Sequence, residues 1–274
     1  MAYIRERFLS ADKKILIVKK HHSLFAMPTK TKIKQRRCPK TNESGDDLKK
    51  RNERARREKY MRLLADNFHA GDFYLTLTTA EKMEPEEFKA SMRGFMQRLR
   101  RDYSRRTGGE KLKFFRVMEN LDGKGRPHAH LLIPQYCSPE LIRGIMAVLW
   151  PEGHISVQIY GGTATDAYNI SSYFTKESKI ERAKIDTSRG NLIRREPKKT
   201  VIHAETFSDE IKAPKGYRVV KSLSYNTMTG SGAYQVAVFE KIERGNAYAI
   251  MAGGKRKTQT QVRGSRAKGA GPAA

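Results

Sequence analysis

The sequence predicts an α+β protein in which an antiparallel sheet carries helices packed on it, with a ferredoxin-like order β-α-β-β-α-β-α over roughly residues 72–178. Three observations lead there. Phe73–Thr79 is rich in aromatic and β-branched residues and alternates at Thr76 and Thr78, the mark of a strand. From Pro85, the residues Phe88, Met92, Phe95, Met96, Leu99 and Tyr103 recur at helical spacing. Between residues 114 and 133, two apolar runs flank a polar segment with Asp122-Gly123, Gly125 and Pro127, which reads as a β-hairpin.

Taken in order, residues 1–28 give only a short apolar run at Ile15–Val18 and a His21-His22 pair read as surface. The start is too charged, and its apolar run too short, for a signal peptide. In Thr29–Lys40, six of twelve residues are Lys or Arg without apolar periodicity, so a disordered basic arm is expected. Asp46 to Ala65 predicts a charged helix, with Asp46 and Asp47 suited to its positive end. The helix from Pro85 carries Arg93, Arg98, Arg100 and Arg101 on its other face and ends at Gly108-Gly109. Ser138-Pro139 is an N-cap and first-turn pair for a helix through Leu141, Ile142, Ile145, Met146 and Leu149, stopped by Pro151. His154–Tyr160 predicts a strand, and Gly161-Gly162-Thr163 leads into a helix over about Thr165–Ser178. Beyond residue 185 the signals weaken to a turn at Ser188–Leu192 and two strands, Tyr217–Leu223 and Ala233–Glu240, joined by a Gly-rich turn. The expected divisions are an arm and charged helix at 1–66, a core at 67–185, a β-rich extension at 186–250 and a disordered basic tail at 251–274.

Charge narrows the function. Fifty-five Lys and Arg against 29 Asp and Glu give a net charge of +26, which points to a polyanionic partner, nucleic acid first. An anionic membrane surface is the rival, but no long basic helix with a bulky apolar face is evident. No apolar run of about 18 residues occurs, so a soluble, cytoplasmic protein is expected. Cys38 and Cys137 form no spaced metal motif and read as reduced thiols.

The chemistry-bearing residues fall in two places. On the second hairpin strand, alternation sends His128 and His130 to one face and Ala129, Leu131 and Ile133 to the other. With Glu119 across the turn, the two imidazoles form a plausible divalent-metal site. In the last helix, Tyr173 and Lys176 are three apart and share a face. A tyrosine beside an ammonium suits phosphoryl chemistry, with phenolate as nucleophile and the cation offsetting phosphate charge. Tyr168 lies about 140° round the helix from Tyr173, which favours a single nucleophile. Asp166, seven residues before Tyr173, is a lesser metal candidate, and His154 reads as an ordinary strand-end histidine. Taken alone, the histidine pair fits a chance pattern and Tyr173 a packed core tyrosine.

A Phe-x-x-Thr-Leu-Thr strand, then Glu, a Gly/Pro loop and His-x-His, then Tyr-x-x-Lys on a helix resembles, in that order, the rolling-circle replication initiators of the HUH endonuclease superfamily. The resemblance covers roughly residues 72–180. It implies an HUH-type endonuclease fold in which His128, His130 and Glu119 hold one Mg²⁺ or Mn²⁺. Tyr173 would attack the scissile phosphate, leaving a free 3′-OH and a 5′-phosphotyrosine, and Lys176 would help place metal or phosphate. The implied substrate is single-stranded or hairpin origin DNA, nicked and rejoined at one site. No Gly-x-x-x-x-Gly-Lys-[Ser/Thr] occurs, so unwinding and synthesis are expected from a host helicase and polymerase. Relaxases and transposases share the chemistry, although relaxases usually place the tyrosine ahead of the histidines. A non-catalytic basic nucleic-acid-binding protein is the rival from another class, and a zinc hydrolase is the weakest alternative. Oligomeric state, origin sequence and replicon type are not encoded in any motif found.

Overall fold

Alternation along Phe73–Thr79 buries Phe73, Leu75 and Leu77 on one side and turns Tyr74, Thr76 and Thr78 to the other, and this two-sidedness organises the protein. The computed structural model describes residues 2–22, 45–122, 124–175, 184–229 and 232–242. The arm expected over Thr29–Lys40, the tail at 251–274, Cys38 and Lys176 lie outside them.

The elements are β1 (Tyr3–Leu9), β2 (Ile15–His22), α1 (Gly45–Asn67), β3 (Phe73–Thr79), α2 (Pro85–Arg106), β4 (Phe115–Glu119), β5 (His128–Ile133), α3 (Pro139–Leu149), β6 (Gly153–Ile159) and α4 (Ala164–Thr175), followed by β7 (Lys184–Thr187), β8 (Lys198–Ile202), β9 (Tyr217–Val219), β10 (Tyr225–Thr229) and β11 (Gly232–Lys241). Two antiparallel sheets form. The first has the order β6-β3-β5-β4-β7, the ferredoxin-like arrangement with one added edge strand. The second has the order β10-β11-β2-β1-β8, with β9 pairing β11.

The layers follow from the apolar faces. Helices α2 and α3 cover one face of the β3 sheet through Phe88, Met92, Phe95, Ile142 and Met146, which pack on Phe73, Leu75, Ala129 and Leu131. The other face packs on α1 and α4, where Phe115, Val117 and Leu132 meet Leu64, Phe68, Ala167 and Phe174. The same cluster continues into Phe8, Val236 and Val238 of the second sheet, so α1 and α4 lie between the sheets. Ser138 caps α3 by accepting from the Leu141 amide at 3.3 Å, as its sequence signature predicts.

The second sheet is where sequence reading fell short. The first 22 residues supply a hairpin, β1–β2, whose strands are flanked by β8 and β11. The expected strand Tyr217–Leu223 is only three residues long and ends in a 3-10 turn over Lys221–Leu223, and an additional strand, β10, forms the hairpin with β11. No helix among the described residues is long and apolar enough to cross a membrane.

Two outcomes test this packing. Trp150 is buried with its ring edge against Phe88 and Phe95, and its indole N–H donates to the Thr78 carbonyl at 2.9 Å. Trp150→Ala should cost about 3–5 kcal/mol in urea denaturation, and a loss under 1 kcal/mol would refute a packed anchor there. Glu6 sits among His21, Lys19 and Lys199, and these contacts, His21 foremost, lower its carboxyl from 4.5 to about 2. Because the folded value is depressed, this stabilisation is full above pH 4.5 and disappears as pH falls toward 2. Glu6→Gln should remove about 1 kcal/mol, after solvent screening, from the acid-side slope of thermal melts. An identical acid profile would show that the cluster contributes nothing.

Candidate active site

Strand register brings three metal-ligating side chains together. Glu119 on β4 pairs directly with His128 on β5, and Val117 with His130, so the carboxylate and both imidazoles project from one face. The joining loop begins at Asn120, which takes a positive φ of 55° and donates its side-chain amide to the Arg126 carbonyl at 3.1 Å. Nε2 of His128 lies 2.8 Å from Glu119 Oε2, and Nε2 of His130 lies 3.8 Å from the same oxygen. One ligand atom from each residue falls within 4.8 Å of the others, the one such group of three among the described residues. Glu119 is 4% exposed.

The other ring nitrogens are held from behind. Nδ1 of His128 donates to the Arg126 carbonyl at 3.3 Å, which leaves Nε2 with its lone pair toward Glu119. Nδ1 of His130 lies 3.0 Å from the Tyr74 hydroxyl and 3.1 Å from Thr76 Oγ1. Donation from Nδ1 to either oxygen fixes the same tautomer, as metal-ligating histidines require. Tyr74 also stacks on the His130 ring, with centroids 5.7 Å apart and planes 18° apart. Burial first, then Tyr173 and Glu119, push the Tyr74 hydroxyl well above the usual phenol range, so it stays protonated. These donors and their supports fit a divalent cation of the first transition row, which accepts imidazole and carboxylate together.

Helix α4 brings in the tyrosine. Ala164, Ala167, Ser171, Phe174 and Thr175 form its buried stripe, and the two alanines permit a close approach to the sheet. Its start is a capping box: Asp166 N–H donates to Thr163 Oγ1 at 3.1 Å, and Thr163 N–H donates to Asp166 Oδ2 at 3.2 Å. Gly162 just before it has a φ of +68°, and a Cβ there would meet the Ala70 amide at 2.3 Å. At the far end, Tyr173 is 40% exposed, with its ring 5.9 Å from His130 and 4.8 Å from Phe174. Its hydroxyl donates to Glu119 Oε2 at 3.4 Å.

Four of the five predicted site residues, Glu119, His128, His130 and Tyr173, therefore converge, while Lys176 lies outside the described residues. Asp166 is engaged in the helix cap, about 10 Å along the axis from Tyr173 at 1.5 Å per residue. Tyr168 lies among residues of α1 and the second sheet, its ring 5.3 Å from the Arg57 guanidinium. Sequence reasoning missed Tyr74 and treated Thr76 as structural. The available signal was alternation on the Phe73–Thr79 strand, which puts Thr76 opposite His130 once the strands pair.

Removing both hydroxyls that hold His130, with Tyr74→Phe and Thr76→Val together, should weaken Mn²⁺ binding by about 10- to 100-fold in calorimetric titration. Unchanged affinity in the folded variant would show that they do not support a ligand.

The segment that builds this corner also carries the likeness to known proteins. Residues 72–178, from the start of β3 through α4, match the family model described as replication-associated protein ORF2. No curated protein and no solved structure matches the chain. Over residues 72–178, which contain Glu119, His128, His130 and Tyr173, the chain belongs to this replication-associated protein family.

Proposed function

We propose that this protein initiates rolling-circle replication as an HUH-type endonuclease, nicking and rejoining single-stranded DNA at an origin through a 5′-phosphotyrosine on Tyr173. The observation that carries this reading is the meeting of the Tyr173 hydroxyl with Glu119, His128 and His130 at one corner of the sheet. The family match to a replication-associated protein supports the replicative setting.

The residues divide the work. Glu119, His128 and His130 would hold Mg²⁺ or Mn²⁺, with the two imidazoles making Mn²⁺ a good activator. Such an ion, when bound, supplies Lewis-acid polarisation of a non-bridging phosphate oxygen. Tyr173 loses its proton as its oxygen bonds phosphorus, and Glu119 Oε2, at 3.4 Å, is placed to receive that proton. The departing 3′-oxygen takes up a proton and becomes the free 3′-OH that primes synthesis. The phosphodiester energy is kept in the tyrosyl link, so the same site can rejoin ends. Lys176 is proposed to neutralise phosphate charge. Host helicase and polymerase would unwind and extend the strand. A relaxase or transposase would use the same corner, and the replication-associated family is what favours initiation.

Incubating the protein with single-stranded origin DNA and Mn²⁺ should give a slow-migrating covalent adduct in denaturing gels. EDTA or Tyr173→Phe should reduce it at least about 1,000-fold, since both act on the covalent step. An adduct that persists in Tyr173→Phe would assign the nucleophile to another residue. Salt-sensitive binding with no cleavage would leave a non-catalytic nucleic-acid-binding protein.

A further inference from the structure

We infer that a groove beside Tyr173 takes one unstacked base of the bound strand and that Gln158 and Asn169 read its edge; this rests on the single-stranded DNA reading above. Gln158 on the edge strand β6 pairs in register with Tyr74, so it projects from the same face as the histidines. Across from it, α4 contributes Asn169, Ile170 and Tyr173, and the space between them is a groove of about 330 Å³. Two residues belong to both the groove and the active site. The Tyr74 hydroxyl holds His130, and the Tyr173 hydroxyl reaches Glu119. A nucleotide in the groove is therefore adjacent to the phosphate that Tyr173 attacks.

The lining selects a base over a phosphate. Among the described residues that line it there is no Lys or Arg, and its one acid, Asp166, is engaged with Thr163. Phosphates are held by cations and by amide donors at helix starts, which this groove lacks. Its walls are the Tyr74 and Tyr173 rings and Ile170, surfaces on which an unstacked base can lie. The volume is at the small end of ligand sites, about 300–1,000 Å³, which suits a single base. Gln158 and Asn169 are both exposed, and neither carboxamide hydrogen-bonds a described residue. Each offers one acceptor and two donors, a pattern that distinguishes bases by their edges.

The test is a binding competition in the Tyr173→Phe protein with EDTA, using single-stranded oligonucleotides that vary one position at a time around the nick site. A preference of about 10-fold or more is expected at one position next to the scissile phosphate. Adding Gln158→Ala and Asn169→Ala should reduce it to under about 3-fold while leaving other positions unchanged. A flat profile at the flanking positions, or a preference that survives both substitutions, overturns the inference. Because binding is read without cleavage, loss of the preference in a protein that forms no Tyr173 adduct would retain the groove and reject the nicking reading.

Discussion

Everything at the active corner depends on β5 lying between β3 and β4 in one register. Ala129, Leu131 and Ile133 are fully buried against α2 and α3, and this apolar set fixes which residues face the other way. A slip of one residue would turn His128 and His130 into that core and expose the aliphatic side chains. The same register puts Glu119 opposite His128 and Thr76 opposite His130. Ligand and support are thus positioned by the hydrophobic effect acting on the opposite face, without a dedicated loop. Rigid strands hold such a constellation better than loops would.

The tyrosine comes from a helix whose two ends are fixed by different means. The Thr163–Asp166 box and the Ala164 amide donating to Glu240 at 2.8 Å settle where α4 begins. Phe174 settles the far end by packing near His130 and Phe115, and Tyr173 is carried with it to the border of core and solvent. Burial of a neighbour, and not burial of the tyrosine itself, sets the position of the hydroxyl. The nucleophile proposed here consequently stays accessible to a strand entering from solvent.

Much of this was legible in the sequence because the core elements carry strong periods. The β3 strand and α2 follow their patterns closely, and alternation alone divided β5 into a histidine face and an aliphatic face. The register across the eight-residue loop was not legible, since Asn120 and Arg126 settle it through a contact between loop residues. The Tyr74 and Thr76 support was hidden for a related reason: it depends on which strand lies beside β5, and in this topology that is the distant β3. The second sheet was the least legible part. Its central strands come from opposite ends of the described chain, and β1 interleaves Arg5, Glu6 and Arg7 in place of a clean apolar alternation. Those charges are compensated across strands by partners such as Lys19, a pairing that local sequence cannot announce.

Charge and chemistry occupy different sides of the β3 sheet. Helix α2 carries seven Lys and Arg against three acids, and Arg93, Arg100, Arg101 and Arg105 are exposed along it. Buried Asp102 offsets only Arg105 and Arg106 at its end. This helix packs on the face opposite the histidines, while the groove beside Tyr173 is lined by neutral side chains and one capped acid. Long-range attraction of a polyanion, which salt screens over about 10 Å, is therefore separable from the short-range contacts that would orient a strand at Glu119 and Tyr173. A net charge of +26 accounts for encounter with nucleic acid. Selection of one phosphate among many requires the uncharged geometry around Tyr74, Gln158 and Tyr173, because a diffuse positive field attracts every phosphate alike.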